Sequence, residues 1–449
     1  MDQKLTMLVS PIGPTLVRLA APNILSMLVL LVTLVLEAWF IGQLGTIPLA
    51  GLALAFPMFM LMMMLSAGSI GGAITGAVAK KLGAGDIPKA QELALHSLLL
   101  SLVLAFISSL IFLSAGKWIY TLLGGRGLVL QQALLYSDFF FSGCFSIWLS
   151  TALAAIVRAT GNMKVAAIGV IAGFIVQAVF SGIFIFGLGP IPSLGITGAA
   201  VGAVLGFSVA AIIHLYFLSR NCKELPLIFK GIKITLLPIM DILRVGGLSA
   251  VNPFCSWATV VLIGAFMADY GVDVLAGYGI GARLEFLLIP LIFGFGAAST
   301  VMVGTHFGAD KIDRAHKVGW TAAYYSAVIA GLIGLLVAFF PHLWANLFSD
   351  AETVRVACGA YLKIAGPFYA FFALGLCLYF ASQGAGRVFW PVLAVALRFV
   401  IVLCGAIAVS RMQQPSIELF FVFIALGMVA QGVLTGLSIY LGAWRTKTK

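Results

Sequence analysis

The chain has 449 residues, 62% hydrophobic and 9% charged, with mean hydropathy +1.13 and a formal net charge of +11. Soluble domains carry about 25% charged residues, so a soluble fold with an ordinary surface is excluded and most of the surface must face lipid. The apolar runs far exceed the ~10 residues of a barrel strand and do not alternate in polarity. Helices, which satisfy their own backbone, are then the spanning element.

The basic excess calls for no nucleic acid, because cytoplasmic loops of membrane proteins concentrate Lys and Arg. The six cysteines form no CxxC and the five histidines no HxxxH pair, so neither a metal site nor another cofactor is expected. The cysteines read as small buried hydrophobes. The N-terminal segment runs into an apolar stretch too long for a cleavable signal and reads as the first membrane helix.

Twelve helices are predicted, at 14–42, 48–80, 91–114, 130–157, 164–188, 194–219, 241–269, 274–307, 315–340, 352–382, 388–409 and 418–443. The first carries Glu37 inside ILSMLVLLVTLVLEAWFIG. An acid inside hydrocarbon costs on the order of 3 kcal/mol, so it marks a cavity, a partner or an ion path. The competing reading is a glutamate at the outer interface, since Gly42 is only ~7 Å further along the helix. The methionine run at 58–64 in the second helix supplies flexible apolar surface. His214, near the end of the sixth helix, reads as interfacial. Pro22, Pro57, Pro253, Pro290 and Pro367 fall in spans and can kink them.

Between the sixth and seventh helices, Ser219–Met240 is basic and carries Pro226 and Pro238, and it reads as a linker. It divides the chain into lobes 1–225 and 226–449. In the second lobe Arg283, Glu285, Lys363 and Arg398 lie inside predicted spans, each roughly 13–16 Å from the nearer end. Glu285 can pair with Lys363 or Arg398, as a static network or as a charged cavity wall switched by protonation of Glu285. Three bases against one acid leave a positive excess.

Loop charges set the topology. One side holds Lys80, Lys81, Lys89, Arg158, Lys164, Arg220, Lys223, Lys230, Lys233, Lys311, Arg314, Lys317, Arg387, Arg445, Lys447 and Lys449; the other holds Lys117, Arg126, Arg355 and Arg411. The positive-inside rule puts both termini in the cytoplasm of a cell-membrane protein.

The halves repeat. LGTIPLAG (44–51) matches YGVDVLAG (270–277), GAGDIPKA (83–90) matches GADKIDRA (308–315), and RATGNMK (158–164) echoes SQGAGR (382–387). Asp86 and Asp310 are expected to cap helix starts. Six helices per half give both halves the same orientation, with a pseudo-twofold axis along the membrane normal, a plan shared by secondary transporters. The many glycines within helices fit close packing.

The stretches EAWFIGQLGTIPLAGLALAFP, KKLGAGDIPKA, RATGN, IFIFGLGPIPSLGITGAA and THFGADKIDRA resemble the multidrug and toxic compound extrusion (MATE) family over nearly the whole chain. The resemblance implies an all-α integral membrane fold of twelve transmembrane helices in two six-helix lobes around a V-shaped cavity. It also implies export of organic cations driven by proton or sodium entry. Glu37 takes the place of the family's first-helix aspartate. Gln177 and Ser181 stand where many members carry an Asn and an Asp in the fifth helix, so the second carboxylate is missing. Asn23, Gln177 and Ser181 are the polar groups expected to support Glu37. The sodium-type acids of the seventh and tenth helices are absent from VNPFCSWATVVLIGAFMA and PFYAFFALGLCLYFAS.

The expected function is secondary active export of a small amphipathic organic compound against protons by alternating access, with a single chain sufficient in the bilayer. Sodium coupling and an anionic, zwitterionic or lipid-linked substrate stay open as alternatives. A membrane enzyme such as a prenyl transferase is disfavoured, because no DDxxD motif occurs. No GxxxxGK[ST] occurs either, so a gradient supplies the energy.

Overall fold

Long apolar stretches with few charges fold as helices that close their own hydrogen bonds. The computed structural model describes residues 3–227, 234–412 and 416–445; Lys230, Lys233, Lys447 and Lys449 lie outside them. In chain order the helices are α1 (Gln3–Val9), α2 (Ile12–Gly42), α3 (Thr46–Met63), α4 (Gly71–Gly83), α5 (Ile87–Leu122), α6 (Gly127–Ser142), α7 (Cys144–Ala159), α8 (Met163–Phe186) and α9 (Ile196–Tyr216). They continue with α10 (Leu236–Ser249), α11 (Val251–Ala268), α12 (Val272–Gly308), α13 (Ile312–Phe339), α14 (His342–Ala345), α15 (Glu352–Ala365), α16 (Tyr369–Ala385), α17 (Phe389–Ser410) and α18 (Ile417–Tyr440). Among the described residues there is no strand; only an isolated bridge joins Leu188 and Ile191.

Among the described residues eleven helical stretches are long and apolar enough to cross a membrane, and the bent pair α6–α7 taken as one makes a twelfth span. Several predicted spans are interrupted. The fourth bends by 53° between α6 and α7. There Gly143 leaves the space taken by the Val204 side chain, which would lie 2.3 Å from an added Cβ. The second span passes through a π-helical turn at Met64–Ile70, the seventh breaks between α10 and α11, and the tenth breaks at the 3₁₀ turn Gly366–Phe368 that contains Pro367. Pro22, Pro57 and Pro290 lie inside continuous helices.

The chain forms two compact units, one of Met1–Lys4 and Ala21–Gly246, the other of Leu5–Ala20 and Gly247–Lys449. The residues up to Gly246 thus pack with the first unit, and the start of α2 packs with the second. Local contacts explain both placements. An added Cβ at Gly246 would meet Ile70 and Ala73 of the first unit at 2.8 and 3.2 Å. Arg314 donates to the Ser10 carbonyl, and Gly13 faces the Tyr325 hydroxyl, within the second.

The sequence repeat is also a backbone repeat. Left-handed residues recur at matching places: Gly45 and Gly271 (226 apart), Gly85 and Asp310 (225 apart), and Gly161 and Gly386 (225 apart), with φ of 116° and 103°, 78° and 57°, and 83° and 72°. This pairing corrects the reading of Asp310. Asp86 does cap α5, accepting from the Lys89 amide at 3.3 Å. Asp310 instead occupies the left-handed position held by Gly85, and Lys311 stands at the start of α13 without a side-chain cap bond.

His214 is not interfacial. It is fully buried, its Nε2 lies 3.1 Å from the Ala166 carbonyl, and Gly169 leaves room for the ring. Four cysteines (Cys144, Cys222, Cys358, Cys377) are buried, whereas Cys255 is half-buried and Cys404 exposed.

Candidate functional site

In the first unit the geometry around Glu37 is set by how closely α8 and α9 approach. Helix α9 presents Gly198, Gly202 and Gly206 at four-residue spacing, which puts them on one face. Each fills a contact that a side chain would block. Added Cβ atoms would lie 2.5 Å from the Phe184 carbonyl carbon, 2.2 Å from Ser181 Oγ and 2.5 Å from the Gly173 oxygen. Gly206 also faces the Gln177 Cβ at 2.9 Å. The glycine face thus holds Gln177 and Ser181, one turn apart on α8, in fixed places.

Glu37 projects from α2 and is only 4% exposed, so it does not sit at an outer surface. Gln177 Nε2 donates to Glu37 Oε2 at 2.8 Å. The other carboxylate oxygen, Oε1, is buried and accepts no hydrogen bond from any described residue. Tyr136 of α6, stacked on Phe140, lies within electrostatic reach of the carboxylate. The other two expected residues take different partners. Ser181 Oγ donates to the Ala199 carbonyl at 3.4 Å, tying α8 to α9. Asn23 Nδ2 lies 3.2 Å from Met163 Sδ, at the start of α8. Tyr136 was not singled out from the sequence; one tyrosine in a six-aromatic stretch offers no signal there.

In the second unit Glu285 of α12 pairs with Arg398 of α17 at 3.9 Å and accepts from the Tyr361 hydroxyl of α15. Arg398 also donates to Gln431 Oε1 of α18 at 3.2 Å and lies over the Phe372 ring at 4.8 Å. Of the two bases open to Glu285 in sequence, the fold selects Arg398; Lys363 is exposed. Arg283 is exposed as well, with its guanidinium 5.4 Å from the Phe348 ring centre. Tyr361 and Gln431, which complete this cluster, carry no sequence signal as neutral residues in spans. Among the described residues no group of three His, Cys, Asp or Glu could hold a metal ion.

The MatE family model matches residues 22–183 and again 249–408, once in each half. The chain belongs to the MATE family. It is a multi-pass membrane transporter and not an enzyme. The FAD transporter of Shewanella oneidensis is 25% identical over 383 residues, covering 84% of this chain and 82% of that protein. "Probable multidrug resistance protein NorM" of Thermotoga maritima is 24% identical over 431 residues, covering 94% and 90%. A solved MOP-superfamily transporter from Pyrococcus furiosus, described as having a binding pocket of reverse polarity, shares the fold with a TM-score of 0.90 over 99% of both chains at 22% identity. The doubled MATE match follows the repeat seen in the left-handed loop positions.

Proposed function

We propose that this MATE protein is a secondary active exporter of small organic compounds in the plasma membrane, both termini cytoplasmic, exchanging substrate for protons by alternating access. The observation that carries this reading is Glu37: a carboxylate buried in a spanning helix, with one oxygen held by Gln177 and the other without a partner among the described residues. Oε1 is the atom at which a proton can be taken up without breaking an existing bond. Protonation removes the charge and lets α2 repack against α8, and deprotonation restores the Gln177-bound anion for the next cycle. Ser181 and Asn23 act as positioning residues around α8.

Proton coupling is favoured over sodium because Glu37 stands as the single carboxylate of this cluster, and a sodium ion wants several oxygen ligands. Multidrug resistance proteins among the relatives support an amphipathic organic substrate, and the FAD transporter extends the range to a phosphorylated one.

The test is ethidium accumulation in acid-inside inverted vesicles, with and without sodium. Wild type should accumulate ethidium on the pH gradient alone, and Glu37→Gln, present at equal level, should not. Full proton-driven accumulation by Glu37→Gln would remove Glu37 from the coupling step.

A further inference from the structure

The second unit holds a guanidinium that is served far below its capacity. Arg398 lies near the middle of α17, within an apolar span, and carries five N–H donors. Nη1 donates to Gln431 Oε1 at 3.2 Å. Nε is buried with no acceptor among the described residues. Nη2 is 3.9 Å from Glu285 Oε2, beyond hydrogen-bonding distance. A guanidinium and a carboxylate packed as a structural pair close to about 2.7–2.9 Å, often through two parallel bonds. This pair has not closed, because Tyr361 of α15 holds Glu285 by its other oxygen. Phe372 sits against the guanidinium face and keeps its plane fixed. The two side chains keep 13% and 16% of their surface exposed.

The other second-lobe bases do not share this arrangement. Arg283 stacks on Phe348, and Lys363 is exposed on α15. Among the described residues Arg398 is thus a planar donor fork with one acceptor, one loose counter-ion and one unserved edge, the kind of group that recognises a planar or tetrahedral oxyanion.

We propose that Arg398 is the anion-binding centre of a ligand site in the second unit, taking a carboxylate or phosphate group of the ligand, with Glu285 as the resident counter-ion that the ligand displaces. Gln431 and Phe372 orient the guanidinium, and Tyr361 receives the displaced Glu285. The site deepens the exporter reading by giving the substrate a negatively charged end, and its role in transport rests on that reading; the binding itself does not.

The experiment measures equilibrium binding of FMN and of riboflavin, the same ring system without the phosphate, to purified full-length protein in phosphatidylcholine nanodiscs. Ethidium accumulation is followed in vesicles of the same variants. Wild type is expected to bind FMN at least tenfold more tightly than riboflavin. Arg398→Gln should abolish that preference; ethidium accumulation by wild type is read separately, so a failed anion site and a failed exporter reading give different results. Glu285→Gln removes the competing carboxylate and should tighten FMN binding severalfold without changing riboflavin. It also decides the matter if Arg398→Gln fails to fold. Nanodiscs containing phosphatidylglycerol separate the two sources of phosphate: competition with FMN puts a lipid headgroup on Arg398, and no competition assigns the site to a solute. Equal binding of FMN and riboflavin by wild type, an undiminished preference in Arg398→Gln, or unchanged FMN affinity in Glu285→Gln would each overturn the proposal.

Discussion

Gln177 donates to Glu37 across 2.8 Å, and it is the only described residue that hydrogen-bonds the carboxylate. The bond spans α2 and α8, so it joins the coupling candidate to the helix that α9 holds in place.

Replacing Gln177 by Leu keeps the bulk and removes the donor, leaving a buried carboxylate oxygen unserved. That costs about 1–3 kcal/mol, and the thermal midpoint of the purified protein should fall accordingly. Repeating the change in the Glu37→Gln background, where no charge remains, should cost clearly less, a coupling visible in a double-mutant cycle. Equal losses in both backgrounds would mean that Gln177 contributes packing alone.

The glycine face of α9 gives a second test. Gly202→Ala would place a methyl 2.2 Å from Ser181 Oγ and 2.7 Å from the Ser181 backbone nitrogen. Because backbone is in the way, no rotamer change relieves the clash, and overpacking of about 1–3 kcal/mol is expected, together with a displaced Gln177 and weakened proton-driven transport. Gly264→Ala is the control: nothing lies within 4 Å of its added Cβ, so it should be neutral or stabilise α11 by up to about 1 kcal/mol. A Gly202→Ala protein as stable and active as wild type would show that α8 and α9 separate freely.

Asp310 tests the repeat. It holds φ 57° where the first half has Gly85. Aspartate tolerates this region better than most residues, and a β-branched side chain tolerates it poorly. Asp310→Gly should leave the thermal midpoint unchanged or slightly raised, and Asp310→Val should lower it by the equivalent of about 1–2 kcal/mol. If Asp310→Val is silent, the α12–α13 loop is not held in the conformation described.

These positions also show what the sequence makes legible. Spans are readable because twenty apolar residues outweigh every local detail, and the duplication is readable because loop motifs keep the left-handed positions at a constant shift. The same averaging hides interruptions: hydropathy runs straight through Gly143, Ala250 and Gly366, where the helices bend or break. Asp310 has a capping residue type, but at the shift of 225 it aligns with Gly85 and not with Asp86, and its backbone follows the glycine. Glu37 stood out by its charge alone, and its contact with Gln177 depends on the α8–α9 approach, which needs three dimensions. The choice of Arg398 over Lys363 by Glu285 likewise follows from which helix faces which.

The C-terminal tail supplies a last test, because sequence presents it only as a basic end. Trp444 lies four residues beyond α18 and is fully buried. Its Nε1 donates to Ser382 Oγ at 3.1 Å, its ring meets Phe307 and His316, and Gly319 leaves the space it fills, with an added Cβ 2.7 Å away. The tail therefore ties α18 to the ends of α12, α13 and α16 inside the second unit. Trp444→Ala should cost about 3–5 kcal/mol, whereas Trp444→Phe, which loses the hydrogen bond and part of the ring, should cost clearly less. Thermal midpoints of the two variants measure this directly. A Trp444→Ala protein with an unchanged midpoint would mean that the tail does not brace these helices, and that contacts such as the α12–α16 packing at Gly384 and Thr300 hold their ends without it.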